Sequence, residues 1–248
     1  MHRFFLPPEQ SRGTTLVFGE REGHHAAQVL RVQNNEEVIV LDGAGTELRC
    51  RIVEASKRTV RAEVVERKFL EPLPFQITLL QAIPKAKLIE SIIQKATELG
   101  VSRIVPILSE RVATRLDADE ALGKQEKWQQ VAIEAIKQCG QHWLPRVEKP
   151  VTPKEFLARG EAFDLPFVGS LQADSKHPRH YFQKFVSEQG HRPKSVCIWV
   201  GPEGDFSAAE LDLLKEHAVL PITLGRLVLR CESAATYCLS IINYELQS

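Results

Sequence analysis

The rhythm of hydrophobic residues changes at Glu71-Pro72-Leu73-Pro74, and that change constrains the fold more than any other feature of the chain. Before it, apolar and polar residues alternate with period two. Leu48, Cys50 and Ile52 face one way in Thr46–Val53, with Glu47, Arg49 and Arg51 facing the other. Thr59–Val64 repeats the pattern, with Val60, Ala62 and Val64 inward. Such alternation is the mark of strands with one wet face. Asp42-Gly43-Ala44-Gly45 reads as a hairpin turn after a strand at Glu37–Leu41, and one short helix falls at about Gly23–Leu30. Several short strands of this kind predict a small barrel.

After the break the chain alternates strand and helix. Strands are expected at Phe75–Ala82, Arg103–Leu108, Asp164–Val168, Val196–Val200 and Pro221–Leu224. Pro106 in the second of these points to an edge or a bulge. Helices are expected at Lys85–Leu99, Lys124–Cys139 and His180–Glu188. The first buries Leu88, Ile89, Ile92, Ala96 and Leu99 and ends at Gly100. The second buries Trp128, Val131, Ala132, Ala135 and Cys139 and ends at Gly140. Thr152-Pro153-Lys154-Glu155 opens another helix with a capping box, and a last helical run starts at Glu232. This alternation predicts a mostly parallel sheet with helices on both faces, hence an α/β fold. The expected division is 1–71 and 75–248.

Chemistry concentrates in Ile198–Ser240. A strand ends in the tight loop Gly201-Pro202-Glu203-Gly204, and Ser207 with Glu210 then forms a capping box. The next strand ends at Gly225, followed by Arg226, Arg230 and Glu232. Open α/β sheets bind ligands at such strand ends. Neither the dinucleotide fingerprint nor a Walker loop is present. Arg230 and Glu232 have two readings: a surface ion pair, or a stabilising cation beside an acid/base or orienting carboxylate. Glu203 reads first as a carboxylate favoured by a helix N-terminus, and Asp205 and Ser207 as caps.

Composition narrows the class. Lys+Arg and Asp+Glu are 32 each, so the chain of 248 residues has no net charge. That excludes a general nucleic-acid coater, whose binding rests on excess positive charge. The charge is uneven, however. Lys176–Lys194 holds five Lys/Arg, three His and one Glu, and Pro202–Leu220 holds five acids and one Lys. Arg49, Arg51 and Arg61 make either an ordinary polar face or an RNA-facing stripe. The five cysteines are scattered with no Cys-x-x-Cys, so neither a disulfide framework nor a zinc site is signalled, and no metal is expected. Cys231 and Cys238 read as packed thiols. The N-terminus lacks a signal-peptide stretch and no run reaches the ~20 apolar residues of a membrane span, so a soluble cytoplasmic protein is expected.

These residues together resemble a known family. The shared segments run nearly end to end. They are His2-Arg3-Phe4-Phe5, His25 with Val29-Leu30-Arg31, Gln81-Ala82 with Lys85, and Lys95 to Val101. Glu134-Ala135 with Gln138-Cys139-Gly140 and Leu144-Pro145 follow. Gly201 to Ser207 and Leu224 to Ala234 close the series. The chain resembles the RsmE family, methyltransferases of the SPOUT superfamily that modify N3 of a uridine in 16S ribosomal RNA, position 1498 near the decoding centre.

The resemblance implies an N-terminal PUA-like β-barrel that helps hold RNA. It also implies a C-terminal SPOUT α/β domain with a trefoil knot that binds S-adenosylmethionine, and a homodimer acting on 16S rRNA in an assembled 30S subunit. Leu239 and Ile242 on the last helix are expected to add to the dimer surface. The cofactor is expected against the loop Gly169-Ser170-Leu171, against Gly201, Pro202, Glu203 and Gly204, and against the turn Leu224–Leu229, chiefly Leu224, Gly225, Arg226, Leu227 and Leu229. Arg230 and Glu232 are the expected catalytic residues, Arg230 stabilising the uracil anion and Glu232 either accepting the N3 proton or orienting Arg230. RNA contacts are expected at Arg3, Arg31, Arg49, Arg51, Lys176 and Arg179. The chain departs from the family pattern at Gln141, where relatives often carry Arg, and at Cys231 and Ser233, where Thr is commoner.

Overall fold

A computed structural model describes residues 1–247 except 57–58, 86–87, 112–116 and 173. The chain divides into two compact units, one made of Met1–Pro72 with Ile133–Leu144, the other of Leu73–Ala132 with Pro145–Ser248.

The first unit holds a five-stranded sheet. Its strands are β1 (Arg3–Phe5), β2 (Thr15–Val17), β3 (Glu37–Leu41), β4 (Thr46–Ala55) and β5 (Val60–Phe69), paired in the order β1-β3-β4-β5-β2. Alternation works as the sequence predicts: Leu48, Cys50 and Ile52 of β4 and Val60 and Ala62 of β5 are buried in one core with Phe4, Leu16 and Val38. Register shifts in the β4/β5 pairing at Arg49/Cys50 and Ile52/Glu54 are the bulges that bend a sheet over its core. No β1–β2 pairing closes the ring among the described residues, so the barrel is a curled sheet. Asp42 builds the β3–β4 turn, its Oδ1 accepting the N–H groups of Ala44 and Thr46 at 2.8 Å each. Gly45 has φ +95°, and a Cβ there would lie 2.6 Å from the Trp143 ring.

The single helix expected at Gly23–Leu30 is instead a short α2 (Glu20–His24) running into a π-helical turn at His25–Val29, after α1 (Pro8–Ser11). The short strands β1 and β2 carry too few residues for a readable period.

The second unit is a six-stranded sheet in which every pairing is parallel. Its strands are β6 (Gln76–Ala82), β7 (Arg103–Ile107), β8 (Arg146–Val147), β9 (Leu165–Gly169), β10 (Ser195–Val200) and β11 (Leu220–Ile222), in the order β11-β9-β10-β6-β7-β8. The helices are α3 (Leu88–Glu98), α4 (Ala118–Cys139), α5 (Pro153–Leu157), α6 (Pro178–Gln189), α7 (Ala208–Glu216) and α8 (Cys231–Gln247). On one face Leu80, Ala82, Val168 and Trp199 pack with Phe156 of α5 and Leu214 of α7. On the other, Phe167 meets Tyr181 and Phe182 of α6, and α8 lies against α3, α6 and β10.

Several expectations are corrected. Pro106 lies in β7, one strand in from the edge; its carbonyl accepts from Val151 N at 3.1 Å. Pro is tolerated because β8, on that side, pairs only with Arg103 and Ile104. The helix expected from Lys85 begins at Leu88 among the described residues, and Ala86 and Lys87 lie outside them. Helix α4 starts at Ala118, six residues before the expected Lys124. Cys139 is exposed at its end, while Ile133, Ile136 and Lys137 are buried. The strand expected at Pro221–Leu224 is Leu220–Ile222, and β9 separates it from β10. Leu239 and Ile242 are buried within the chain; Tyr237 and Tyr244 are the exposed apolar side chains of α8.

Candidate cofactor cleft

Three loops leave the carboxyl ends of β9, β10 and β11. At β9, Ser170 is buried and its N–H bonds Ile222 O at 3.0 Å, tying this end to β11. Its Oγ accepts Gln172 N–H at 3.1 Å, which turns the chain and leaves Leu171 exposed.

At β10 the loop folds on itself. Asp205 takes φ +60°, its N–H bonds Pro202 O at 2.9 Å, and its Oδ1 accepts Phe206 N–H at 2.8 Å. A Cβ on Gly201 would stand 2.9 Å from that Oδ1, so the turn itself requires glycine. Glu203 Oε1 accepts Lys85 N–H at 2.9 Å. Helix α7 then begins with the expected capping box: Ser207 Oγ accepts Glu210 N–H at 3.2 Å, and Glu210 Oε2 accepts Ser207 N–H at 2.8 Å.

At β11 the turn passes through Gly225 at φ +103°, whose N–H bonds Thr223 Oγ1 at 3.2 Å. Nothing lies within 4 Å of where its Cβ would be, so the backbone there stands open to a ligand. Leu227 and Val228 are largely exposed before α8 starts at Cys231.

These loops line a cleft that opens to solvent. Of the residues expected at a cofactor, Ser170, Leu171, Gly201, Pro202, Glu203, Leu224, Gly225, Leu227 and Leu229 line it; Gly204 and Arg226 do not. Gly169 and Val228, within the expected loops, line it too. Four more lining residues escaped sequence reasoning: Val200, Asp205, Cys231 and Ala234. The first two adjoin expected residues. The last two are a turn apart at the start of α8, where helical spacing predicted a packed face.

Arg230 stands between the lining residues Leu229 and Cys231 and is exposed. Among the described residues neither Arg226 nor Arg230 forms an ion pair, so Arg230 and Glu232 are not the surface pair one reading allowed. Glu232, in the first turn of α8, accepts from the Cys231 thiol, Sγ to Oε2 3.4 Å. Burial first, and then the bond to Glu232, pushes the Cys231 thiol up to about 11. Burial likewise pushes Cys238 up to about 12. Both are inert thiols near neutral pH.

The expected RNA-contact residues divide between the two units, Arg3, Arg31, Arg49 and Arg51 in the first and Lys176 and Arg179 in the second. Arg49 pairs with Glu37 at 3.6 Å and Glu66 at 3.1 Å, and Arg51 with Glu37 at 3.8 Å. Arg61 pairs with Glu54 at 3.7 Å, so this wet face is a lattice of matched charges. Arg3 donates to the carbonyls of Lys137 and Gln138 at the end of α4. In the second unit, Arg179 pairs with Glu245 at 3.0 Å. Arg31 and Lys176 are exposed and form no ion pair among the described residues. Nor is any cluster of three or more His, Cys, Asp or Glu placed to hold a metal among those residues, and no helix of theirs is long and apolar enough to cross a membrane.

Comparison with known proteins adds independent findings. A family profile described as an RNA methyltransferase domain matches residues 71–243, and one described as an RNA methyltransferase PUA domain matches residues 18–65. The ribosomal RNA small subunit methyltransferase E of Bacillus subtilis is 31% identical over all of this chain and 98% of its own length. That of Aquifex aeolicus is 31% identical over 98% of this chain and 99% of its own. A putative methyltransferase of Legionella pneumophila, solved with bound cofactor SAM, superposes with a TM-score of 0.88 at 31% identity, covering 98% of this chain and 96% of that one. The methyltransferase E of Neisseria gonorrhoeae, solved bound to S-adenosyl methionine, gives 0.84 at 28% identity, with 98% and 97% covered.

Proposed function

We propose, because this chain belongs to the ribosomal RNA small subunit methyltransferase E family, that it transfers a methyl group from S-adenosylmethionine to N3 of a uridine in 16S ribosomal RNA. One observation carries this reading. Three strand-end loops converge on one cleft, and Arg230, which forms no ion pair among the described residues, stands between its lining residues Leu229 and Cys231.

The cleft suits the cofactor. Its lining combines apolar side chains with main-chain groups, the mixture usual for small-molecule sites. The side chains of Leu171, Leu224, Leu227 and Leu229 offer apolar cover for a base and a thioether chain. The open backbone at Gly225 and the turn at Gly201 offer close main-chain approach. When bound, S-adenosylmethionine supplies a methyl group already made electrophilic by its sulfonium.

The chain supplies orientation and charge. The uridine leaves its stack to reach the cleft. Arg230 faces the uracil and stabilises the negative charge left as N3 loses its proton, in a site where water is scarce. Glu232 accepts that proton. Its carboxylate is bonded to Cys231 rather than to Arg230, and it sits in the positive field of the α8 N-terminus.

The architecture assigned to this activity is a PUA-like RNA-binding domain at 1–71 and a SPOUT domain at 75–248. The C-terminal segment ties a trefoil knot. Strand order supports this: β10 inserts between β9 and β6, and β11 returns outside β9. The working species is a cytoplasmic homodimer acting on the assembled 30S subunit. Exposed Tyr237 and Tyr244 of α8, with Leu227 and Val228, offer it apolar surface.

The test has two arms. Calorimetric titration with S-adenosylmethionine should show one site per chain. Mass spectrometry of rRNA nucleosides from cells lacking the protein should show loss of one N3-methyluridine, restored by the intact gene. An unchanged nucleoside profile overturns the assignment.

A further inference from the structure

A buried carboxylate joins two loops at the carboxyl end of the sheet. Glu210 is 5% exposed and closes the capping box of α7. A capping box needs only Ser207 as its partner. Glu210 has two further donors: Ser109 Oγ at 3.0 Å and Glu110 N at 2.9 Å. Ser109 is itself buried, and its Oγ accepts Arg111 N–H at 3.4 Å. The segment Ser109–Arg111, which follows β7, is thereby fastened to the loop after β10.

That fastening carries Arg111 to the Gly201–Gly204 turn. Its Nη1 donates to Gly204 O, and its Cδ would be the nearest neighbour, at 3.6 Å, of a Cβ on Gly204. Arg111 is exposed and forms no ion pair among the described residues. The contrast with Arg49, Arg51, Arg61 and Arg179 is direct, since each of those is matched by a carboxylate. A guanidinium has five N–H donors, and one is engaged here. The rest of its planar fork matches the oxygens of a phosphate.

We propose that Arg111 binds a backbone phosphate of the substrate RNA beside the cofactor cleft, holding the strand whose uridine enters it. The inference rests on the methyltransferase reading above. RNA rather than cofactor is the ligand because neither Arg111 nor Gly204, to whose carbonyl it donates, lines the cleft. The buried node at Glu210 gives this contact a fixed distance from the cleft, as a positioned substrate requires.

The experiment compares wild type, Arg111→Ala and Arg111→Lys, with folding checked by circular dichroism. Three quantities are measured: KM for 30S subunits that lack the modification, RNA affinity by filter binding across a salt series, and cofactor affinity by calorimetry. Arg111→Ala should raise KM and the RNA dissociation constant about tenfold, the size of one charge-assisted hydrogen bond. It should also flatten the salt slope by about 0.7, one single-strand phosphate contact. Cofactor affinity should not move. Arg111→Lys should restore the salt slope but only part of the affinity, because an ammonium lacks the fork. Unchanged RNA affinity and slope in Arg111→Ala overturn the proposal. So does loss of cofactor binding with RNA affinity intact, which would make Arg111 a cofactor residue. If wild type transfers no methyl group, the methyltransferase reading fails alone, and the RNA-binding comparison still decides the role of Arg111. Should the alanine variant not fold, Arg111→Gln, which keeps the stem as far as Cδ and removes the charge, replaces it.

Discussion

Replacing Lys137 with methionine should destabilise the first unit by about 3–5 kcal/mol, the cost of stranding one member of a buried ion pair. Lys137 is 6% exposed although it carries a charge. Its Nζ meets Glu22 Oε1 at 2.9 Å, Glu134 Oε2 at 3.0 Å and His25 Nδ1 at 3.5 Å. Methionine keeps most of the side-chain volume, so the cavity contribution is small. The loss is electrostatic. Glu22 is itself buried, and without the lysine its carboxylate keeps one donor among the described residues, Phe5 N–H at a long 3.4 Å. Glu134 is half exposed and lies 3.6 Å from Arg21, so its share is less than about 1 kcal/mol. Removing both charges in Glu22→Leu with Lys137→Met should recover most of the loss, because a buried pair replaced by apolar groups is near neutral. Two compact units make a whole-chain melt a poor two-state reporter. The assay is therefore the urea dependence of amide hydrogen exchange in β3–β5, with β6 and β10 as the internal control. A single-variant cost below about 1 kcal/mol would refute the argument. So would a double variant whose cost equals the sum of the two singles.

Three further outcomes are expected. Arg230→Ala should slow single-turnover methyl transfer to 30S subunits by on the order of a hundredfold, with cofactor affinity little changed; a parallel loss of cofactor binding would make it a pocket residue. Gly201→Ala forces its methyl to 2.9 Å from Asp205 Oδ1 and opens the turn, while Gly225→Ala combines φ +103° with a methyl in the cleft's open space. Both should weaken S-adenosylmethionine binding in calorimetry, and unchanged affinity in both, with the fold intact, removes the cleft assignment. Glu161 is held below its ordinary 4.5 chiefly by a hydrogen bond from Arg103, and Glu155 below the same value chiefly by Thr152 N–H. A carboxyl lowered on folding adds stability above its unfolded value, and that stability is lost as pH falls through the folded value. The urea midpoint of the second unit, read from amide hydrogen exchange in β6 and β10, should hold from neutral pH to about 5 and fall below about 4.5, with a shallower fall in Glu161→Gln; an identical acid profile in that variant would exclude Glu161 as a source.

What the sequence determined by itself was whatever depends on residues a few positions apart. Alternation at Leu48, Cys50 and Ile52 specified β4 and its inward face. The capping boxes Thr152/Glu155 and Ser207/Glu210 formed where their spacing placed them, because each closes within one helical turn. The run Val196–Val200 and the glycines after it marked β10 and its turn, and the shared motifs marked the family.

Tertiary structure decided what joins distant positions. Strand order put β9 between β10 and β11 and so drew its loop, which hydrophobic pattern and glycine turns alone did not mark, to the cleft where the resemblance had placed it. Pairing across β3, β4 and β5 gave Arg49 and Arg51 carboxylate partners in Glu37 and Glu66, which the sequence pattern did not reveal. Lys137 reads as a solvated helix charge until Glu22, 115 positions away, lies against it. Glu210 reads as a cap until Ser109, 101 positions away, reaches it. The physical reason is the same throughout. Hydrophobic period and capping are short-range codes carried by the backbone repeat, whereas the partner of a charge is set by which surfaces the packed core brings together.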